Sequence, residues 1–158
     1  MMSPGVPWPV RGVLAGAAGT ALLTAAYGIE RRLRPGVRGS LDYDDSLVPG
    51  QIVARVLGVP SATEREQAQL GTLLRWGYGS GFGIAHVALR RLLGEPAASL
   101  IFGGMLMSAT FSLFPLMGRT SPPWRWPPDV LATSLATHAA YVAGVAVVDA
   151  LLDGRRKA

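Results

Sequence analysis

The sequence predicts an all-α protein, an integral membrane four-helix bundle, and three observations carry that expectation. The 158 residues are 49% hydrophobic and only 16% charged, against about 25% charged in an ordinary soluble domain. The apolar residues gather in four stretches, at about 10–31, 70–92, 96–118 and 129–152, each close to the ~20 residues a helix needs to cross ~30 Å of hydrocarbon. Trp8, Trp76, Trp124 and Trp126 all fall near the ends of these stretches, as an aromatic belt would place them. A soluble alternative would bury four apolar helices in a chain that covers only about 70% of its surface on folding. The expectation is therefore one transmembrane domain over 1–158, with the polar stretch 33–69 as its long loop.

The first helix is expected from about Val10 to Glu30 or Arg32, ended by the basic cluster Arg31, Arg32 and Arg34 and by Pro35, which disfavours helical geometry at the residue before it. Thr24-Ala25-Ala26 is a poor signal-cleavage sequence, and the apolar run is longer than the roughly 7–15 residues of a signal peptide, so an uncleaved span is expected. In the loop, Ile52, Val53, Val56 and Leu57 recur at helical spacing after Pro49 and Gly50, and predict a short amphipathic, interfacial helix that Gly58 and Pro60 stop. Ser61 with Glu64 and Thr63 with Glu66 both match a capping box, so a new helix should begin there and continue into the second span. That span closes at Arg90, Arg91 and Gly94. The link Gly94-Glu95-Pro96 is so short that the second and third helices must be antiparallel neighbours. Pro115 removes a backbone donor near the end of the third helix, and the proline-rich stretch 119–128 is a stiff loop before the fourth.

The net charge of +5 comes from arginines placed just outside the apolar stretches, where they meet lipid phosphates, and not from one basic face of the kind a nucleic acid requires. Alternating directions place Arg11, Arg90, Arg91, Arg155, Arg156 and Lys157 on one side of the bilayer. The cluster Arg31, Arg32, Arg34 and Arg38 favours a cytoplasmic loop and the basic C-terminus favours the reverse, so charge leaves the orientation open.

Candidate residues fall into three groups. Small residues four apart, Gly12 and Gly16, Gly79 and Gly83, and Ala136, Ala140 and Gly144, form a packing code that lets helix backbones approach closely, within one chain or across a homodimer. His86 and His138 lie inside spans, where an ionisable group is costly and becomes a functional candidate. On the fourth helix Ser134, His138, Tyr141 and Asp149 share a face, and on the second Arg75, Gly79, Gly83, His86 and Arg90 do; where these faces meet, a thin polar track would run through His86, Ser134, His138 and Tyr141. Glu30 with Arg75, and Asp149 with Arg90, could form ion pairs at the two edges. A structural role, an interhelical hydrogen bond or an edge pair, competes with the functional reading at every one of these positions.

Other chemistry is poorly supplied. With no cysteine, disulfides, thiolate metal sites, c-type haem attachment and cysteine nucleophiles are excluded. One haem between the two histidines of a single chain would need equal depth. His86 lies about five residues past the middle of its span and His138 about three before the middle of its own, an offset of roughly 12 Å. The run Asp42-Tyr43-Asp44-Asp45-Ser46 starts like a calcium loop, but Leu47 stands where glycine is needed and Val53 where glutamate is. No catalytic, cofactor-binding or metal-binding constellation is read from the sequence.

A glycine-rich first helix ending in Glu30-Arg31-Arg32, then Asp42-Tyr43-Asp44 with Ser46, then Arg75-Trp76-Gly77-Tyr78-Gly79-Ser80-Gly81 opening the second helix, resembles small uncharacterised multi-pass proteins of high-GC bacteria. More faintly it is similar to YagU-like inner-membrane proteins. The resemblance implies a four-helix bacterial membrane protein of the cytoplasmic membrane and brings no activity or catalytic residue with it. The expectation is a non-enzymatic multi-pass protein that acts by helix packing, as a homo-oligomer or an accessory subunit of a larger membrane partner. The alternatives are a minimal transporter or proton-conducting unit, and a haem or quinone carrier assembled across a dimer.

Overall fold

Proline opens the first helix and the last. The computed structural model describes residues 6–34, 56, 58, 63–116 and 121–153, and among these the chain forms four long helices and no strand. Helix α1 spans Trp8–Leu33, with Pro9 in its first turn, where a missing N–H is no loss. Arg31 and Arg32 lie in its last turn, favourably placed at the negative end of the helix dipole. Helix α2 spans Glu64–Leu93, α3 spans Ala97–Leu116, and α4 spans Pro128–Asp153, with a short 3₁₀ turn at Pro123–Arg125 before α4. Of the two capping patterns in the sequence, it is Thr63 with Glu66 that starts α2. The Thr63 hydroxyl accepts from the Glu66 N–H at 3.4 Å and the Glu66 carboxylate accepts from the Thr63 N–H at 2.8 Å. The interfacial helix expected around Ile52 to Leu57 lies outside the described residues, apart from an exposed Val56.

Gly94 ends α2 at φ +70°, a backbone conformation open to glycine, and its N–H closes on the Arg90 carbonyl. Glu95 and Pro96 then lead directly into α3. Pro115 sits in the last turn of α3, where the helix runs one residue beyond it.

Three of these helices, α1, α3 and α4, are long and apolar enough to cross a membrane. Helix α2 is long enough but less apolar, because Arg75, His86, Arg90 and a run of glycines occupy the stretch expected as the second span. The helices stand in cyclic order. α1 packs closely on α2 and on α4, α3 touches the same two more sparsely, and α2 and α4 barely meet across the diagonal. The side-chain contacts fix the directions. The start of α1, the end of α2, the start of α3 and the end of α4 come together at Arg11, Arg90, Glu95 and Asp149, so successive helices alternate in direction.

The core between them is thin: Ala15, Phe102, Tyr141 and Val145, flanked by Leu23, Leu89, Leu106, Val142 and Val148. The large apolar residues instead cover the outside, among them Leu22, Ile29, Leu73, Leu100, Met105, Leu113 and Leu151. Apolar outside and polar inside is the arrangement a lipid solvent favours.

Trp8 and Trp124 are exposed, and the Arg91 guanidinium lies over the Trp8 ring, 5.3 Å from its centre. Trp126 departs from the expected belt. Its ring is buried against Phe111 in an edge-to-face contact, and its indole N–H donates to the Ser121 carbonyl at 2.7 Å. It braces the loop before α4 because a buried indole needs both an apolar bed and an acceptor.

Candidate functional site

Small residues build the seam that positions everything else. A Cβ added to Gly12 would stand 2.6 Å from the Ile84 Cα, and one on Gly16 would stand 2.5 Å from the carbonyl oxygens of Gly79 and Ser80. One on Gly83 would stand 2.5 Å from the Gly16 nitrogen, and one on Gly79 would strike the Thr20 hydroxyl. Gly12 and Gly16 therefore face Gly79 and Gly83 with the backbones almost touching. On the other flank of α1, Gly144 of α4 meets Gly19, whose Cα lies 3.0 Å from the position of a Gly144 Cβ. Ala136, on the same line as Gly144, is exposed, and Ala140 is half-buried. That close approach lets short polar side chains reach across the bundle.

At one end of the seam lies a charged cluster to which every helix contributes. Asp149 on α4 is fully buried. Its Oδ1 lies in ion-pair contact with Arg11 Nε of α1 at 2.6 Å, and its Oδ2 accepts a hydrogen bond from Arg90 Nη1 of α2 at 2.9 Å. One turn further along α4, Asp153 pairs with Arg11 Nη1 and lies 3.6 Å from Arg90 Nη2. His86, also fully buried, places Nε2 3.1 Å from Glu95 Oε1 and 3.1 Å from the Ser99 hydroxyl, with Nδ1 3.8 Å from Asp149 Oδ2. Removing two guanidiniums from water is expensive, and the arrangement offsets that cost because each faces two carboxylates at short range. The spacing explains the geometry: His86 and Arg90, and Asp149 and Asp153, are each four apart, so each pair presents one helical face.

A second polar group lies toward the other end. Glu30, on the last turns of α1, accepts from the Thr133 hydroxyl of α4 and lies 3.7 Å from Arg34. Thr137 donates to the Thr133 carbonyl at 2.9 Å. On His138 the Nδ1–H donates to the Ser134 carbonyl at 2.7 Å, since a carbonyl can only accept, and Nε2 lies in hydrogen-bond contact with the Thr110 hydroxyl at 3.2 Å. Ser134 Oγ is buried and finds no partner among the described residues. Arg75 is half-buried on α2 and engaged.

Between the two groups Tyr141 donates to the Gly79 carbonyl at 2.5 Å. That bond is one of few links between α2 and α4, reaching past α1. The Phe102 ring fills the gap, edge-on to His86 at 5.4 Å and tilted on Tyr141 at 6.1 Å, with Ala15 and Val145 beside it. The residues of the expected polar track are thus divided: His86 lies in one group, Ser134 and His138 in the other, and Tyr141 stands with Phe102 in the apolar layer between them. The two histidines reach α3 at Ser99 and Thr110, eleven residues or roughly 16 Å apart along that helix. One metal or haem iron between them in a single chain does not fit this spacing. Among the described residues no group of three or more histidine and carboxylate side chains is placed to hold a metal ion.

Of this cluster, the sequence pattern marks His86, Arg90 and Asp149 as candidates and does not single out Arg11, Glu95, Ser99 or Asp153. A signal was present in the two complementary i,i+4 pairs, basic on α2 and acidic on α4, close to chain ends expected on the same side.

No known protein family, curated protein or solved structure matches the chain.

Proposed function

We propose that this chain is a non-enzymatic four-helix protein of the bacterial cytoplasmic membrane, crossing it with all four helices, that works by helix packing as a homo-oligomer. The observation that carries this reading is a second line of small residues on α2. Gly79 and Gly83 are consumed by α1. Gly77, Gly81 and Ala85, at the same spacing of four, are exposed, with nothing within 4 Å of a Cβ built on either glycine. A glycine in a helix costs about 1 kcal/mol relative to alanine, and these two return no close contact among the described residues. In lipid, such a line is the surface on which a second helix packs by van der Waals contact. The flanking Leu73, Trp76 and Phe82 are exposed and would close around it. A second copy of the chain is the simplest occupant, because α2 already shows this packing once; an accessory role in a larger membrane complex uses the same surface.

Light scattering on the protein in mild detergent tests the reading. The expected result is a defined oligomer that Gly81→Leu converts to monomer with helix content unchanged. A wild-type monomer, or an oligomer indifferent to Gly81→Leu, would count against it. The interrupted polar groups give the conducting alternative less support, since water or protons would have to pass the Phe102 layer.

A further inference from the structure

Where α1 begins and α2 ends, two adjacent arginines face opposite ways. Arg90 turns inward to Asp149 and Asp153. Arg91 is exposed and, among the described residues, pairs with no carboxylate; its guanidinium rests over the Trp8 ring, 5.3 Å from its centre. Glu95, four residues further on, is engaged elsewhere, with His86 and with the Ser99 backbone N–H at 3.3 Å. The seam between the two helices dictates this placement. Gly12 of α1 lies against Ile84 of α2. Trp8 is one turn before Gly12 and Arg91 two turns after Ile84, so both stay on the facing sides of their helices and meet where the seam runs out. Trp8 is itself exposed, and so are Val10, Val13 and Leu14 on the next turns of α1, toward the bilayer interior.

We propose that Arg91 and Trp8 form a binding site for an anionic phospholipid, with the headgroup phosphate on the Arg91 guanidinium and an acyl chain along Val10, Val13 and Leu14. A phosphodiester fits a guanidinium through two parallel N–H···O bonds. An arginine laid on an aromatic face is already held for them, which reduces the side-chain freedom lost on binding. An exposed indole at a helix end belongs at the headgroup level, so the ring fixes the depth of the charge as well as its position. Charge complementarity selects the occupant. Beside a guanidinium with no carboxylate partner, a headgroup of net negative charge gains more than a zwitterionic one, whose ammonium offsets its phosphate. Arg34, at the other end of α1, provides the contrast, with the Glu30 carboxylate 3.7 Å away. The site rests on the reading of the bundle as a membrane domain and is independent of its oligomeric state.

The test is native mass spectrometry of the full chain released from mild detergent, titrated with palmitoyl-oleoyl phosphatidylglycerol, with the matching phosphatidylcholine, and with glycerol phosphate as a headgroup without chains. The first phosphatidylglycerol should bind about fivefold more tightly than phosphatidylcholine, and Arg91→Gln should abolish that preference. Trp8→Leu should weaken it about two- to threefold and Trp8→Phe less, because a phenyl ring still offers a face. Arg125→Gln, which removes an exposed guanidinium from the 3₁₀ turn at the opposite edge, should leave it unchanged. Both site residues are exposed, so helix content by circular dichroism should match wild type in every variant. Equal binding of the two lipids, or a preference that survives Arg91→Gln, overturns the site. An equal loss in Arg125→Gln would show diffuse surface charge and overturns it too. Glycerol phosphate that competes as well as the lipid would make free phosphate the ligand and overturn the lipid assignment. A chain that stays monodisperse without detergent and takes up neither lipid would refute the membrane reading itself, and the site with it.

Discussion

Helices α1 and α3 are both long and apolar enough to cross a membrane, yet they are held in the bundle by different forces. α1 buries Gly12, Ala15, Gly16, Gly19 and Thr20 and lies against two neighbours at backbone contact. α3 buries only Ala98, Phe102 and Thr110 and is fastened by two aromatic rings, Phe102 and Phe111, and two histidine contacts, His86 to Ser99 and His138 to Thr110. Its own glycines do not take part in close approach: nothing lies within 4 Å of a Cβ on Gly104, and on Gly103 the nearest atom is a Val142 methyl at 3.6 Å. Apolarity sends a helix into lipid, but in lipid it draws no helix to another. Association needs either backbones that can touch or polar groups that find partners, and this chain uses the first for α1 and the second for α3.

That difference can be broken or sharpened by substitution. The largest effect is expected from Asp149→Ala, which leaves the buried Arg11 and the half-buried Arg90 with only the part-exposed Asp153 between them. Removing one member of a buried ion pair costs about 3–5 kcal/mol, and the full-length protein should lose its cooperative thermal transition in detergent. Gly83→Leu comes next. Its side chain would start inside the backbone of Gly16, an overpacking that costs about 3 kcal/mol or more because neither backbone can yield. The same substitution at Gly104 on α3 should leave the melting temperature within error of wild type; equal losses at the two sites would refute the distinction between the helices.

Smaller effects should mark the fastening of α3. Thr110→Val removes the hydroxyl that bonds His138 and should cost about 1 kcal/mol. A double-mutant cycle of Thr110→Val with His138→Gln should return a coupling energy near that value, and additive losses would show that the contact contributes nothing. The smallest effect belongs to the capping box that starts α2, the helix both neighbours share. The Glu66 carboxylate is held below the ordinary glutamate range by the Thr63 hydroxyl and the Thr63 backbone N–H. A carboxylate stabilised in the folded state contributes above its unfolded value and is lost as pH falls through its lower folded value. Amide exchange in the first turn of α2 should therefore stay slow at neutral pH and quicken on acidification below the usual glutamate range. Thr63→Ala, which removes the hydroxyl and leaves the backbone N–H, should weaken that pH dependence.

The residues differ in how far their partners can be read from the chain. Arg90 and Asp149 were legible as a pair because each sits near the end of an apolar stretch expected on the same side, and they stand 2.9 Å apart. Arg11 was read only as a flanking charge, although it reaches Asp149 and Asp153 across more than a hundred residues of sequence. Glu95 was hidden in a three-residue link, where it looked like punctuation, and Trp126 looked like a belt residue until Phe111 gave it a bed. Gly77 to Gly83 carries glycine at every second position, and the alternation itself does not reveal which pair meets α1.

By itself the sequence determined the four helices, their order and their ends. Apolar length, proline, glycine and the Thr63 to Glu66 cap act within a few residues, and the physics of a helix is local on that scale. Only the tertiary structure decided the lateral partners: Gly79 and Gly83 against α1 with Gly77 and Gly81 left open, Asp149 between two arginines, and the polar residues divided by Phe102. A helix offers several faces about its axis at nearly equal local cost. Which face meets which neighbour depends on the fit of all four at once, and no single stretch of the chain carries that information.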